Sequence, residues 1–166
     1  MTDSEQEMRL IGEIAVGFGN LELYLEAGIW QLLGGKDKAT ILVAQALTAE
    51  MSFDRKAHAF ASMYKLRVPN DADSVELKEL ISELFEVQGE RNAILHSAWS
   101  RSEAMQALTR MKASAKAKDG LRRRLHRMTP ARLQAIRVRI AQVAERFAHF
   151  VLANTQDKSW AREPEQ

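Results

Sequence analysis

Apolar residues recur at three- and four-residue spacing along most of the chain, and this period predicts helices. The first apolar stripe comprises Ile11, Ile14, Ala15, Phe18, Leu21, Leu25, Ile29 and Leu32. It predicts one amphipathic helix of about seven turns. Gly34 and Gly35 predict that this helix ends in a left-handed backbone conformation. Asp37 and Ser52 can each cap a following helix, the second of which should stop before Pro69.

A fourth and a last helix follow from the same period. The fourth is predicted to open at Asp73 or Ser74 and to run to about Ser97. Thr129 and Pro130 supply an N-cap and a proline at the first helical position for the last helix. Its stripe comprises Leu133, Ile136, Ile140, Val143, Phe147 and Phe150.

The segment from 99 to 128 breaks the helical pattern. It is polar and basic and is interrupted by Gly120, so both a β-hairpin and a mobile loop fit it. We therefore predict an all-α fold, an up-down bundle of about five helices with a long basic insertion before the last helix.

Length and composition predict one globular domain over residues 1–155, followed by a frayed polar tail at 156–166. No apolar run approaches the roughly 20 residues that span a bilayer, and the acidic start of the chain is unlike a secretory signal. The chain has no cysteine, which excludes disulfides and thiolate metal sites. We expect a cytoplasmic protein with no membrane association.

The net charge of +2 conceals two halves of opposite sign. Residues 1–100 carry 9 Lys and Arg against 16 Asp and Glu, and residues 101–166 carry 15 against 6. The basic excess includes Lys112, Lys116, Arg122, Arg123, Arg124 and Arg127. Such a cluster is typical of a polyanion partner, which makes these six residues candidates for contacts with RNA. A solvated loop, or a segment that docks on the acidic half of a partner subunit, would explain it equally well.

Polar residues interrupt the apolar stripe near the end of the fourth helix. At 100° per residue, Gln88 and Arg91 fall within about 40° of the stripe centre, whereas five glutamates of the same helix fall on the far side. Asn92 and His96 lie one turn apart on one flank. In the first helix Glu22 lies similarly among apolar residues. An unpaired buried charge is costly, so we predict that Glu22 and Arg91 face and neutralise each other.

That pair could hold two helices in register, or it could fix Arg91 so that its remaining donors reach into a cleft. Taken singly, Arg91 suits a salt bridge between helices, and His96 suits a position near a helix C-terminus. Together, Arg91, Asn92 and His96 favour a functional site.

The segment Glu90-Arg91-Asn92-Ala93-Ile94-Leu95-His96 resembles the Arg-x(4–6)-His signature of the HEPN superfamily. Those small helical domains include metal-independent ribonucleases and non-catalytic binding relatives. The resemblance covers roughly residues 8–155 as an architecture but only Arg91–His96 as a motif, and the long insertion at 99–128 is not part of the minimal bundle.

The resemblance implies a homodimer in which two such motifs form one cleft. His96 would act as general base or acid on an RNA 2′-hydroxyl, and Arg91 would bind the scissile phosphate. Asn92 would orient the phosphate or His96, while Glu22 and Gln88 would support the site. The products would be a 2′,3′-cyclic phosphate and a 5′-hydroxyl. No cofactor or metal is expected. Family ribonucleases often serve as toxins or in phage defence and are restrained by a partner protein such as an antitoxin.

Two other functions fit the same residues. A non-catalytic HEPN-like module would bind a nucleotide, RNA or a partner protein, with Arg91 and Glu22 as structural residues. An RNA-binding protein that acts only through its basic insertion would keep its RNA affinity after His96→Ala. The insertion itself could be an RNA-binding arm or a lid. The chain has no glycine-rich phosphate loop, Gly-x-Ser-x-Gly or HExxH motif, so nucleophilic serine and zinc chemistry have no support.

Overall fold

Five helices and three short strands make up the computed structural model, which describes residues 3–34, 37–68, 71–102, 107–116 and 120–155. The helices are α1 (Asp3–Leu32), α2 (Lys38–Thr48), α3 (Phe53–Arg67), α4 (Asp71–Leu95) and α5 (Pro130–Thr155). The strands are β1 (Ala98–Ser102), β2 (Ala107–Lys116) and β3 (Gly120–Met128). The predicted fold class is confirmed, because the chain is mostly helical. None of the described helices has both the length and the apolar character needed to cross a membrane. The predicted tail at 156–166 lies outside the described residues.

The predicted helix ends are set by local hydrogen bonds. Asp37 accepts from the Thr40 backbone N–H at 2.9 Å and from its hydroxyl at 2.6 Å, and these bonds lower the pKa of the Asp37 carboxyl. Ser52 caps α3, and Thr129 Oγ1 accepts from the Arg132 N–H at 3.2 Å. Gly34 adopts a φ of 84° after α1, as its position predicts.

The basic insertion forms a three-stranded antiparallel sheet in the order β1-β2-β3. Of the two alternatives left open for the insertion, β-structure is the one found in its described residues, and β1 adds a third strand to the hairpin of β2 and β3. The register pairs Trp99 with Arg110 and Arg110 with His126. Directly paired residues project from the same face of a sheet, so this register decides which basic residues of the insertion are neighbours.

The chain divides into two compact units, each containing segments of α1, α4 and α5. The sheet unit contains α1 up to Phe18 together with Val87–Ile140, and the helical unit contains Gly19–Glu86 together with α5 from Ala141. The prediction of one domain over 1–155 stays a prediction.

The helical unit is closed by an aromatic cluster. Phe60 lies 4.9 Å from Phe147 between ring centroids, and Tyr64 lies at the same distance from Phe150. Gly28 permits the approach of Phe60, because an added Cβ would lie 2.8 Å from the Phe60 ring. The apolar stripes of the helices in this unit thus meet in a close-packed core.

The sheet unit joins strands to helices by apolar burial and by ion pairs. Its buried side chains include Leu10, Ile14, Phe18, Ile94, Leu108, Met128, Leu133 and Ile140. Arg101 of β1 donates to the buried Glu7 carboxylate of α1 at 2.6 Å. Arg137 of α5 lies 3.4 Å from Glu13 of α1. The unit therefore provides a fixed frame for the end of α4, where the candidate motif lies.

Candidate functional site

Arg91, Asn92 and His96 form one hydrogen-bonded cluster at the end of α4. The Arg91 Nη1 donates to Asn92 Oδ1 at 2.9 Å and lies 3.3 Å from His96 Nε2. The His96 N–H also donates to the Asn92 carbonyl at 3.1 Å, so the helical hydrogen bonding reaches His96. The three groups that the sequence placed within one and a half turns are thus brought together in the structure.

Arg91 is held against Phe18 of α1, with Cζ 5.2 Å from the ring centroid. A cation over an aromatic face is stabilised without losing its hydrogen-bond donors. Only Nη1 has side-chain acceptors among the described residues, and the buried Nε has none. The protein therefore holds this guanidinium in place but leaves it incompletely hydrogen-bonded.

His96 is exposed to solvent. Arginine has donors and no acceptor, so Arg91 Nη1 donates to His96 Nε2 in the tautomer that leaves this nitrogen as an acceptor. In that tautomer the exposed imidazole has a lone pair beside the arginine, as a general base requires.

The last turn of α4 is fixed by side chains from the following strands. Trp99 Nε1 donates to the Ile94 carbonyl at 2.9 Å, and Arg110 Nη1 donates to the Ala93 carbonyl at 3.0 Å. Ser97 Oγ also donates to the Ala93 carbonyl, at 2.6 Å. These bonds satisfy carbonyls that a helix end leaves without helical partners. The sheet therefore stabilises the helix turn that carries His96.

The predicted pairing of Glu22 with Arg91 is wrong. Glu22 instead accepts from Lys56 Nζ of α3 at 2.7 Å, and Glu26 accepts from the same nitrogen at 2.5 Å. The Lys56 side chain is buried. Burial alone would lower the pKa of Lys56, but hydrogen bonds and charge attraction from the two carboxylates outweigh it and raise that pKa. Glu22 therefore belongs to a separate ion cluster and does not support the Arg91 cluster.

Lys56 is a charged residue of the helical unit that the sequence analysis did not predict to be buried. The signal was present in the chain. At 100° per residue, Lys56 lies about 60° from Phe53 and about 40° from Phe60 on the apolar side of α3. A lysine there needs a buried carboxylate partner.

The remaining predicted site residues contribute less to the cluster. Gln88 is half-buried, and no side-chain hydrogen bond connects it with Arg91, Asn92 or His96 in the described part of the chain. Of the six basic candidates, Arg124 and Arg127 are exposed on β3. The side chains of Lys112, Lys116, Arg122 and Arg123 lie outside the described part.

A cleft that the sequence analysis missed lies between the end of α4, the sheet and the start of α5. Its volume is about 290 Å³. The lining comprises Glu90, Ala93, Ile94, Arg110, Leu125, His126, Arg127, Met128, Arg132 and Ile136. Neither Arg91 nor His96 is among these residues, so the cleft and the Arg91 cluster are separate features of one helix end. We refer to it as the basic cleft.

The acidic residue of the basic cleft is Glu90, one of the five glutamates that helical spacing places on the far side of the fourth helix. Its Oε1 lies 3.5 Å from Arg139 Nη1, and its Oε2 is buried without a hydrogen-bond donor among the described residues. Arg110, Arg127 and Arg132 together outweigh this carboxylate in the lining. Of the lining residues, Arg127 was singled out from the sequence as a basic candidate. Arg132 is a further sign in the sequence, because it is a cation in the first helical turn, where the helix dipole favours anions.

Among the described residues, no three His, Asp or Glu side chains gather closely enough to hold a metal ion. Comparison with protein-family models, with curated proteins and with solved structures finds no match for the chain.

Proposed function

We propose that the protein is a metal-independent endoribonuclease of HEPN type, in which Arg91, Asn92 and His96 cleave RNA by attack of a 2′-hydroxyl on the adjacent phosphate. The observation that supports it best is the direct contact between Arg91 and the exposed His96. In this contact a fixed cation and a candidate proton acceptor lie 3.3 Å apart. Both groups can therefore reach the same phosphodiester, one to bind the phosphate and one to accept the 2′-hydroxyl proton.

In this mechanism the exposed His96 imidazole turns away from Arg91 when substrate binds. Its guanidinium donates to the non-bridging oxygens of the scissile phosphate, and Asn92 Oδ1 keeps it oriented. The released Nε2 of His96 then accepts the 2′-hydroxyl proton while the 2′-oxygen attacks phosphorus. The bond from phosphorus to the 5′-oxygen breaks, which yields a 2′,3′-cyclic phosphate and, after protonation of the leaving oxygen, a 5′-hydroxyl.

The leaving oxygen needs a proton donor. Each copy of the cluster contains one histidine, His96, which already acts as the proton acceptor. We therefore propose a homodimer in which the partner's cluster completes the cleft. In this proposal the enzyme acts in the cytoplasm, as a toxin or defence component, and a separate antitoxin-like protein restrains it.

The test is cleavage of end-labelled tRNA and mRNA in EDTA by the wild type, His96→Ala and Arg91→Ala. We expect cyclic-phosphate ends from the wild type and loss of cutting in both variants. His58→Ala is the matched control, since His58 is also exposed but lies on α3. The specific activity should also fall on dilution below the dimer dissociation constant. Cutting that persists in His96→Ala would disprove the proposal.

A non-catalytic binding module is the second candidate. It is favoured by the same contact, because Arg91 occupies the nitrogen that a general base must present to substrate. This candidate predicts binding of RNA or nucleotide without product in any RNA pool, and unchanged affinity in His96→Ala. Measuring binding and cleavage on the same samples therefore separates the two functions.

A further inference from the structure

The strand register divides the sheet residues of the basic cleft between two faces. Arg110 pairs with His126, whereas Leu125 and Arg127 belong to the alternating pairs of the same two strands. Because successive side chains point to opposite faces of a sheet, Arg110 and His126 share one face and Leu125 and Arg127 share the other. Arg110 donates to the Ala93 carbonyl at 3.0 Å, so its face is the one turned toward the end of α4.

One carboxylate oxygen of the basic cleft has no hydrogen-bond donor among the described residues. The Oε1 of Glu90 lies 3.5 Å from Arg139 Nη1, while its Oε2 is buried and accepts no hydrogen bond. A buried charged acceptor without a donor is unfavourable. The terminal torsion of a glutamate is soft, and the Glu90 side chain is 34% exposed. A small rotation therefore brings Oε2 to the cleft without breaking a hydrogen bond, and a ligand that supplies N–H groups there removes the penalty.

Hydrogen-bond donors lie within about one helical turn of that carboxylate. Arg110 binds the Ala93 carbonyl and the Ser97 hydroxyl, and both of these hydrogen bonds come from Nη1. Its Nε and Nη2 make no hydrogen bond to a described residue. The same holds for both ring nitrogens of His126, the residue directly opposite Arg110. The cleft therefore combines an acceptor without a donor and donors without acceptors.

Apolar side chains complete the cleft. Ile94 of α4, Met128 of β3 and Ile136 of α5 line it and are buried. The volume of about 290 Å³ is at the small end of ligand pockets. Glu90 would repel a simple anion, and the arginines of the lining would repel a simple cation. The lining therefore favours a small neutral ring that has N–H donors on one edge and acceptors on another.

We infer that the basic cleft binds a guanine base. Guanine presents N–H donors at N1 and N2 and acceptors at O6 and N7. Glu90 Oε2 accepts from N1–H and N2–H, and Arg110 donates to O6 and N7, the commonest specific contact of an arginine with a base. The ring lies against the apolar side chains, and His126 offers an aromatic surface for stacking. Adenine has no N–H at N1 and no oxygen at C6, so it cannot satisfy both charged groups in this way.

The guanine can come from either of two sources. It can belong to a free nucleoside or nucleotide, or to an RNA chain in which the base leaves the stack to enter the cleft. Neither source requires proton transfer by His96, so this inference goes beyond the proposed ribonuclease activity and does not depend on it.

The experiment is calorimetric titration of the full chain with guanosine, inosine and adenosine. Inosine keeps N1–H and O6 but has no 2-amino group, so it should bind several-fold more weakly than guanosine. Adenosine should bind at least about 10-fold more weakly, the usual effect of losing one hydrogen bond to a charged group. This series needs only the wild type. Equal affinity for guanosine and adenosine would overturn the inference.

Glu90→Gln tests the carboxylate with little change of shape. It should weaken guanosine binding by about 10-fold, because the amide is uncharged and its NH₂ group opposes the N–H donors of the base. Glu76→Gln is the matched control, since Glu76 is an exposed glutamate of α4 outside the cleft. It should leave the affinity unchanged. Thermal melting midpoints check that both variants fold, and equal guanosine affinity in the wild type and folded Glu90→Gln would contradict the inference.

Two 2′-O-methyl RNA heptamers, which lack the attacking hydroxyl, distinguish the sources. One is all adenosine, and the other has one guanosine at its centre. Guanosine binding that depends on Glu90 supports a free nucleoside or nucleotide. Tighter binding of the guanosine heptamer alone, with the same dependence, supports an RNA base. No preference for guanine in either form overturns the inference. Since His96→Ala should bind normally, a failed cleavage assay and a failed cleft remain distinguishable.

Discussion

Two groups of charged side chains interrupt the apolar stripes of the helices, and they differ in how completely the protein satisfies them. In the helical unit, Lys56 lies between Glu22 and Glu26 and is buried. In the sheet unit, Arg91 contacts a neutral amide and an imidazole, and its Nε has no acceptor among the described residues. The first group is enclosed by opposite charges, while the second faces solvent through His96.

This difference indicates opposite roles. An enclosed cluster has its cation paired with opposite charges inside the protein, and removal of that cation should cost stability. An incompletely paired cation beside an exposed histidine contributes little to folding and can interact with a phosphate. A polar residue on an apolar stripe can therefore be assigned to stability or to ligand binding only once its partners are known. The four predictions below test the contrast in order of decreasing expected effect.

His96→Ala should lower the rate of RNA cleavage by about 100-fold or more, because proton transfer contributes about 10²–10⁴ to such reactions. The side chain is exposed, so the free energy of unfolding should change by less than about 0.5 kcal/mol. Single-turnover cleavage and urea denaturation on the same samples measure both. A large loss of stability would mean that His96 contributes to folding, and the Arg91 cluster would then not differ in role from the Lys56 cluster.

Lys56→Met should lower the free energy of unfolding by about 2 kcal/mol, because Glu22 and Glu26 then lie together without a cation. The effect stays below that of a fully buried pair, since the two carboxylates are 34% and 21% exposed and can be hydrated. Urea denaturation measures it, with Lys65→Met, an exposed lysine of α3, as the control. Folded Lys56→Met should cleave RNA at the wild-type rate.

Asn92→Ala should reduce cleavage by about 10-fold, equal to the loss of one hydrogen bond of roughly 1.4 kcal/mol that orients Arg91. The pH profile should keep its shape, because the proton acceptor is unchanged. Pre-steady-state rates between pH 5 and 9 provide the measurement. A loss as large as that of His96→Ala would instead indicate that Asn92 contacts the reacting phosphate.

Alkaline pH should weaken the Lys56 cluster selectively. The folded-state pKa of Lys56 is raised above its ordinary value of 10.5, so its contribution is fully present below pH 10.5 and is lost as pH rises through the folded-state pKa. Above pH 10.5, the wild type should lose stability more steeply than Lys56→Met. Parallel stability curves for the two proteins in that range would contradict the assigned ion cluster.

Local chemistry explains what could be predicted of the fold. Asp37, Ser52 and Thr129 cap helices because their side-chain oxygens reach N–H groups two or three residues later, which needs no tertiary contact. Helical spacing likewise grouped Arg91, Asn92 and His96 correctly. The strands of the insertion could not be assigned, since basic residues with no clear alternation fit a loop and a sheet equally well.

The sequence by itself determined the helices, the caps at Asp37, Ser52 and Thr129, and the cluster on α4, because each depends on residues within two turns of one another. It placed the start of α4 at Asp73 or Ser74 and its end near Ser97, whereas the helix spans Asp71–Leu95. Only the tertiary structure decided that Lys56 is the partner of Glu22, since the two residues are separated by 34 positions. The tertiary structure also decided which residues line the basic cleft. There the strand register brings Arg110 opposite His126, and the start of α5 adds Arg132. Partners that are distant in the chain are chosen by packing and register, and a local pattern does not encode either.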